Sequence, residues 1–397
     1  MRLPRLIFSV LSIFSLIALS AQATPYIPTD GNKVLEQLPM RSDPAQREFA
    51  RLRKLLTDKP DDASIAGDLA QAYINAARAD GDPRYLGYAQ ATLKPWWTLA
   101  QPPVSVLVLR ATILQSTHQF PAALTDLNNV LKQDRDNAQA WLTRATVLQV
   151  QGQFAQAKAS CMRLYPLAPE LITLTCLSNV SSLNGEAATS YATLSAAYKK
   201  NSDADVGIKI WVATLLAEMS ARLGDAKAAD AWFQKAMALD KPDSYLLGSY
   251  ADFLLDQKRA AEILPLLKSK TKVDALLLRY ALALQTQQSP EAGDQIRLLD
   301  QRFDAAILRG DTVHQREQSR YELQLKNHPE TALKLAQLNW AIQKEAADLR
   351  IYLEAAAALP DTKAAAIAAQ PALEWLKQNK LEDVALKPLL AKLGARL

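Results

Sequence analysis

Cys161 and Cys176 are the only cysteines among 397 residues, and they stand fifteen positions apart. No Cys-x-x-Cys occurs, so thiol redox catalysis lacks its usual pair. A disulfide between the two would close a fifteen-residue loop and stabilise the fold by about 3 kcal/mol. Two buried thiols are the other reading. The three histidines, His118, His314 and His328, have no second His or Cys at i+3 or i+4 to make a zinc site. No Ser-His-Asp set can be argued from spacing, and neither a phosphate loop nor a Gly-x-Ser-x-Gly elbow is present. The acid pairs Asp61-Asp62 and Glu382-Asp383 suit helix starts, where carboxylates favour the dipole. Neither catalysis, nor a metal, nor a cofactor is expected.

Charge in the interior is the next question. Arg110 and Arg144 stand thirty-four residues apart in the same short phrase, Arg-Ala-Thr. An arginine is costly to bury without a carboxylate, and Asp126 is the expected partner of one of them, in a pair that fixes helix register. Trp96 and Trp97, a doubled aromatic after Lys94-Pro95, read as core closure or, failing that, as a platform for a sugar.

The elements that must carry these residues repeat. Units begin at Val104, Ala138 and Leu171, with steps of 34 and 33 residues. Others begin near Ala63, Ile210, Ser244 and Asp274, and two weaker ones near Val313 and Ala347. In the Ala138 unit, Trp141, Ala145 and Leu148 recur at helical spacing and give one apolar face. Gly152 ends that helix, since glycine takes left-handed angles without a Cβ penalty. Phe154, Ala157, Cys161 and Leu164 make the facing stripe of a second helix, and Pro169 stops it. One such hairpin cannot bury its apolar face alone, so the units must stack.

The order aromatic, small, Gly, aromatic, Ala, Pro at Trp141, Ala145, Gly152, Phe154, Ala157 and Pro169 resembles the tetratricopeptide repeat. The Ile210 unit repeats it with Ala217, Gly224, Ala229, Phe233, Ala236 and Pro242, while the Val104 unit has His118 where Gly is usual. The resemblance implies an all-α fold, a right-handed α-α superhelical solenoid of stacked helix-turn-helix repeats. About eight units span 63–358, most regular over 104–267. Residues 43–62, opened by Asp43-Pro44, are expected to form a capping helix, and 359–397 capping helices at the other end. A helical-repeat array of another family is the alternative.

The resemblance further implies that first helices line a concave groove. Thr112, Gln115, Thr146, Gln149, Asn179, Ser182, Glu218, Arg222, Asp252 and Asp256 would then point into it. Amides and hydroxyls there suit hydrogen bonds to a peptide backbone or a sugar. The Lys–Asn clamp that some members use on a C-terminal carboxylate is absent, because Asn179 has no Lys one turn earlier.

Arg2 and Arg5, the apolar run Leu6–Leu19 and Ala21-Gln22-Ala23 read as a secretory signal peptide, residues 1–23, cut between Ala23 and Thr24. Residues 24–42 follow as an extended arm that could itself occupy the groove. An exported, soluble protein of the bacterial periplasm is expected. The net charge of +5 is scattered rather than massed in a stripe, so nucleic acid is not the expected partner. Together these readings suggest a non-catalytic scaffold that binds a protein or peptide at the cell envelope. The alternative is a carbohydrate- or peptidoglycan-binding repeat protein.

Overall fold

The computed structural model describes residues 43–395. The expected signal peptide, its cleavage point between Ala23 and Thr24, and the arm 24–42 lie outside the described residues. The described chain is helical throughout, with no strand among its residues. Helix α1 (Pro44–Asp58) is followed by α2 (Ala63–Asp80), α3 (Arg84–Thr92), the single turn α4 (Lys94–Trp97), α5 (Val104–Ser116), α6 (Phe120–Gln133) and α7 (Ala138–Val150). Then come α8 (Phe154–Met162), α9 (Glu170–Ser182), α10 (Ala187–Lys200), α11 (Val206–Leu223), α12 (Ala226–Leu239), α13 (Ser244–Asp256) and α14 (Ala260–Leu267). The last are α15 (Asp274–Thr286), α16 (Ala292–Leu308), α17 (Gln315–Gln324), α18 (Pro329–Ile342), α19 (Ala346–Ala357), α20 (Thr362–Asn379), a 3-10 turn (Val384–Leu386) and α21 (Lys387–Lys392).

Successive helices pair as hairpins, α2 with α3, α5 with α6, and so on to α19 with α20, each stacked on the next. The architecture is an α-α solenoid of stacked helix-turn-helix hairpins. One backbone device sets its rhythm. A residue in the left-handed region closes the first helix of each hairpin from α2 to α17: Gly81, His118, Gly152, Gly185, Gly224, Lys258, Gln288 and Asn327. Glycine reaches this region freely, and His118, at φ 57°, adopts it with its ring stacked on Phe120. Within the hairpins the crossing points are small, as Ala145 and Ala157 are in the α7–α8 pair, both fully buried.

The ends differ from simple covers. α1 lays Phe49 and Leu52 against Tyr73 of α2 and closes the first hairpin. Of the 359–397 segment, α20 completes the last hairpin with α19, and only the 3-10 turn and α21 lie beyond it. That tail and the last hairpins lie across the turns of earlier ones. The Lys344 amide donates to the Val150 carbonyl at 2.7 Å. Trp375 packs on Phe154 with ring centroids 5.9 Å apart, and its indole nitrogen would be 3.0 Å from a Cβ added to Gly152. Asn184 Nδ2 donates to the Asn379 carbonyl at 3.0 Å, and Glu382 accepts from the Ala187 amide at 2.9 Å, capping α10 from 195 residues away. The inner side of the first helices is therefore faced by the chain's own C-terminal hairpins.

Candidate functional site

First helices do form the inner side. A chamber of about 500 Å³ lies between α7, α9, α11, α13 and α15 on one wall and α17, α19 and the 3-10 turn on the other. Gln149, Asn179, Glu218, Arg222, Asp252 and Asp256 line it. The other four groove candidates do not. Thr112 is buried and donates to the Val108 carbonyl of its own helix at 2.9 Å. Gln115 is half-buried outside the chamber wall, and Thr146 is exposed, bonding back to Leu142. Ser182 is fully buried and accepts from Arg222 Nη2 at 2.9 Å, so it holds a chamber residue without being one.

Arginine–carboxylate bridges fasten the two walls together. Asp252 of α13 accepts from Arg279 of α15 at 2.6 Å and from Arg320 of α17 at 2.5 Å. Burial alone would raise its pKa, but the two guanidinium groups more than offset that and hold the carboxyl well below its usual range. Asp256 takes both terminal nitrogens of Arg350, a two-pronged bond at 2.6 and 2.7 Å spanning 94 residues of sequence. On the far wall Arg316 meets Glu345 at 2.8 Å and Asp348 at 3.4 Å. Asp348 is buried and accepts further bonds from Asn339, Gln343 and the Glu345 amide.

Two carboxylates on the chamber wall have no cation within 4 Å, Glu218 and Asp383. Glu218 Oε1 accepts from the Tyr245 hydroxyl at 2.8 Å and from Ser249 at 2.9 Å. Burial raises its pKa, and the Tyr245 bond and the charge of Arg222 offset this only in part. Asp383 is raised by burial in the same way, with the Ala385 amide opposing. Between them Arg222 leaves its Nε without an acceptor. Tyr245 lines the chamber with 61% of its surface exposed and its hydroxyl bonded to Glu218. The arrangement can grip polar and charged groups and present an aromatic face to them. Among the described residues no group of three or more His, Cys, Asp and Glu could hold a metal ion.

The remaining candidates lie outside the chamber. Cys161 and Cys176 form a disulfide, Cα atoms 5.6 Å apart, that ties α8 to α9. Asp126 takes Arg110 through two bonds of 2.7 Å. Arg144 reaches no carboxylate and donates instead to Asn128 at 3.0 Å and Ser160 at 2.6 Å. Trp96 and Trp97 are half-buried against the first hairpins, and Arg110 bonds the Trp97 carbonyl, so they close the core rather than offer a platform.

Sequence reasoning did not name Tyr245, Arg279, Arg316, Arg320 or Arg350, and it placed Asp383 only at a helix start. A signal existed for three of them. Arg279, Arg320 and Arg350 lie near the middle of first helices α15, α17 and α19, so extending the inward-face rule into the later units would have reached them. Asp383 does start a helical turn, accepting from the Ala385 amide, but nothing local shows that the tail carries it to the chamber.

No family model matches the chain, and no curated protein matches it in sequence. Solved structures resemble it in helical arrangement. The human IFIT1 dimer with PPP-AAAA is 15% identical, over 88% of this chain and 85% of that one, with a TM-score of 0.43. Yeast Tom70 is 13% identical over 88% and 87%, with a TM-score of 0.29. The APC/C hetero-tetramer Cut9–Hcn1 is 13% identical over 78% and 66%, with a TM-score of 0.32. These likenesses concern the arrangement of helices alone.

Proposed function

We propose that this chain is a non-catalytic interaction scaffold, exported to the bacterial envelope, whose inner chamber holds a short segment of a partner protein. The chamber carries this reading. Its volume suits three or four residues of extended chain, within the ordinary range of ligand sites. Its wall offers the groups a peptide needs: the free edge of Glu218, the guanidinium of Arg222, the amides of Gln149 and Asn179, and the Tyr245 ring. A long peptide along the whole concave face is disfavoured, because the C-terminal hairpins take that space.

A photoreactive amino acid in place of Tyr245, crosslinked in the native envelope and followed by mass spectrometry, tests the reading. The expected result is an adduct to one partner segment. Adducts only from positions on the outer helices, with none from inside, would overturn the chamber as the binding site. Export is tested separately by N-terminal sequencing of the envelope-associated protein, expected to begin at Thr24; a retained Met1 would refute cleavage.

A further inference from the structure

The register of the repeats exposes a missing counter-ion. Arg110 and Asp126 are sixteen residues apart on α5 and α6, and Arg144 and Ser160 are sixteen apart on α7 and α8. Each member of the second pair stands thirty-four residues after its counterpart. Ser160 therefore occupies the place of Asp126, and the arginine has kept its position without its acid. Ser160 is fully buried, as Asp126 nearly is. The bond to Asp126 raises the pKa of Arg110, whereas burial lowers that of Arg144 with nothing to oppose it. Arg144 Nε and Nη1 are taken by Asn128 and Ser160, which leaves Nη2 without a bond from the chain.

The surroundings match an interface. Arg163 of the same hairpin lies over the Trp141 ring at 5.4 Å, and Arg144 meets that ring at 5.9 Å. Neither arginine has a carboxylate within 4 Å; of the two acids in the preceding turn, Asp134 accepts from Asn137, and Asp136 is exposed and in no ion pair. Next to Arg163 in sequence, Met162 and Tyr165 are exposed by 53% and 51%. Arginine, tryptophan, tyrosine and methionine are the residues in which protein interfaces are enriched. None of the five lines the chamber.

We propose that Arg144 and Arg163, set against Trp141 and flanked by Met162 and Tyr165, form a second docking site, one that takes an acidic segment of a partner protein. A partner carboxylate accepts from Arg144 Nη2 and supplies the negative charge that Asp126 supplies one repeat earlier. An apolar side chain of the same segment rests on Met162 and Tyr165. Partial burial of the guanidinium makes the contact stronger than that of an ordinary surface arginine.

The test uses the mature chain and a fluorescein-labelled hexapeptide, Glu-Asp-Phe-Glu-Asp-Glu, followed by fluorescence anisotropy at low salt. Arg144→Gln and Arg163→Gln are each expected to weaken binding about tenfold. Arg163 is exposed, so its variant keeps the test valid should Arg144→Gln fold poorly. Ser160→Asp is the sharper variant. It supplies the missing carboxylate from within, so it is expected to raise the melting midpoint and abolish peptide binding, while Ala159→Asp, which adds the same charge on the exposed side, changes binding by no more than about twofold. Binding untouched by Ser160→Asp would overturn the site, as would equal binding of the lysine counterpart of the peptide. Arg144-dependent sedimentation with phosphatidylglycerol vesicles, without peptide binding, would overturn the protein partner in favour of a membrane surface.

Discussion

Glu218 and Asp252, two acids on neighbouring inner helices, shift in opposite directions: burial raises both, and only Asp252 has two guanidinium groups to outweigh it. Asp252 is held low by Arg279 and Arg320, so its contribution is fully present above the ordinary aspartate value near 3.9 and is lost as pH falls through its lower folded value. Glu218 is raised, so the folded state holds its proton longer than the unfolded one, and stability falls as pH rises from about 4.3 through the raised value. Glu218→Gln keeps an acceptor for Tyr245 and removes the buried charge. Its melting midpoint is expected to exceed wild type at pH 7 and to converge with it in acid, and equal midpoints at both would show that Glu218 is well solvated. Asp126 makes the complementary case: Asp126→Ala strands Arg110, whose side chain is only 16% exposed, and is expected to cost about 3 kcal/mol in chemical denaturation. Of these residues, Arg110 and Asp126 were legible in the sequence, because a repeat puts an arginine and an acid at fixed register. Which arginine would win the acid was not legible, since that depends on Ser160 standing where the second acid would be.

At the scale of the element, spacing carried most of the fold. The units read from Val104, Ala138, Ser244 and Asp274 begin where α5, α7, α13 and α15 begin; Pro103, Asn137 and Asp243 break or cap the chain sharply before the first three. Leu171 and Ile210 fall one and four residues inside α9 and α11, where helical propensity extends the helix backward to Glu170 and to the Asp205 cap. The disulfide belongs to this scale too. It joins the second helix of one hairpin to the first of the next, an interface that otherwise rests on Leu164, Val180 and their neighbours. Thiol titration of the denatured, unreduced protein is expected to return no free thiol, and reduction to lower stability by about 3 kcal/mol. Two thiols before reduction would remove that tie.

Repeat proteins ordinarily unfold as chains of neighbours, since each unit touches only the next. Here the tail and the last hairpins bond to the third, fourth and sixth, through Lys344 to Val150, Asn184 to Asn379 and Arg350 to Asp256. None of these partners shares a sequence pattern with the other, so local periodicity could not announce them. Their consequence is that distant hairpins should lose stability together. Trp375 is the place to test it: half-buried, it packs on Phe154 and on Trp340, with centroids 5.9 and 5.2 Å away, and so bridges the third hairpin and the eighth. Trp375→Ala removes that bridge and is expected to cost about 2–3 kcal/mol. Hydrogen exchange is the discriminating readout. Faster exchange is expected both in α18–α20 and at the α7–α8 turn around Gly152, which precedes Trp375 by more than 220 residues. Exchange that quickens only in α18–α20 would mean that the C-terminal hairpins rest on the earlier turns without stabilising them, and that the chamber between them can open at little cost.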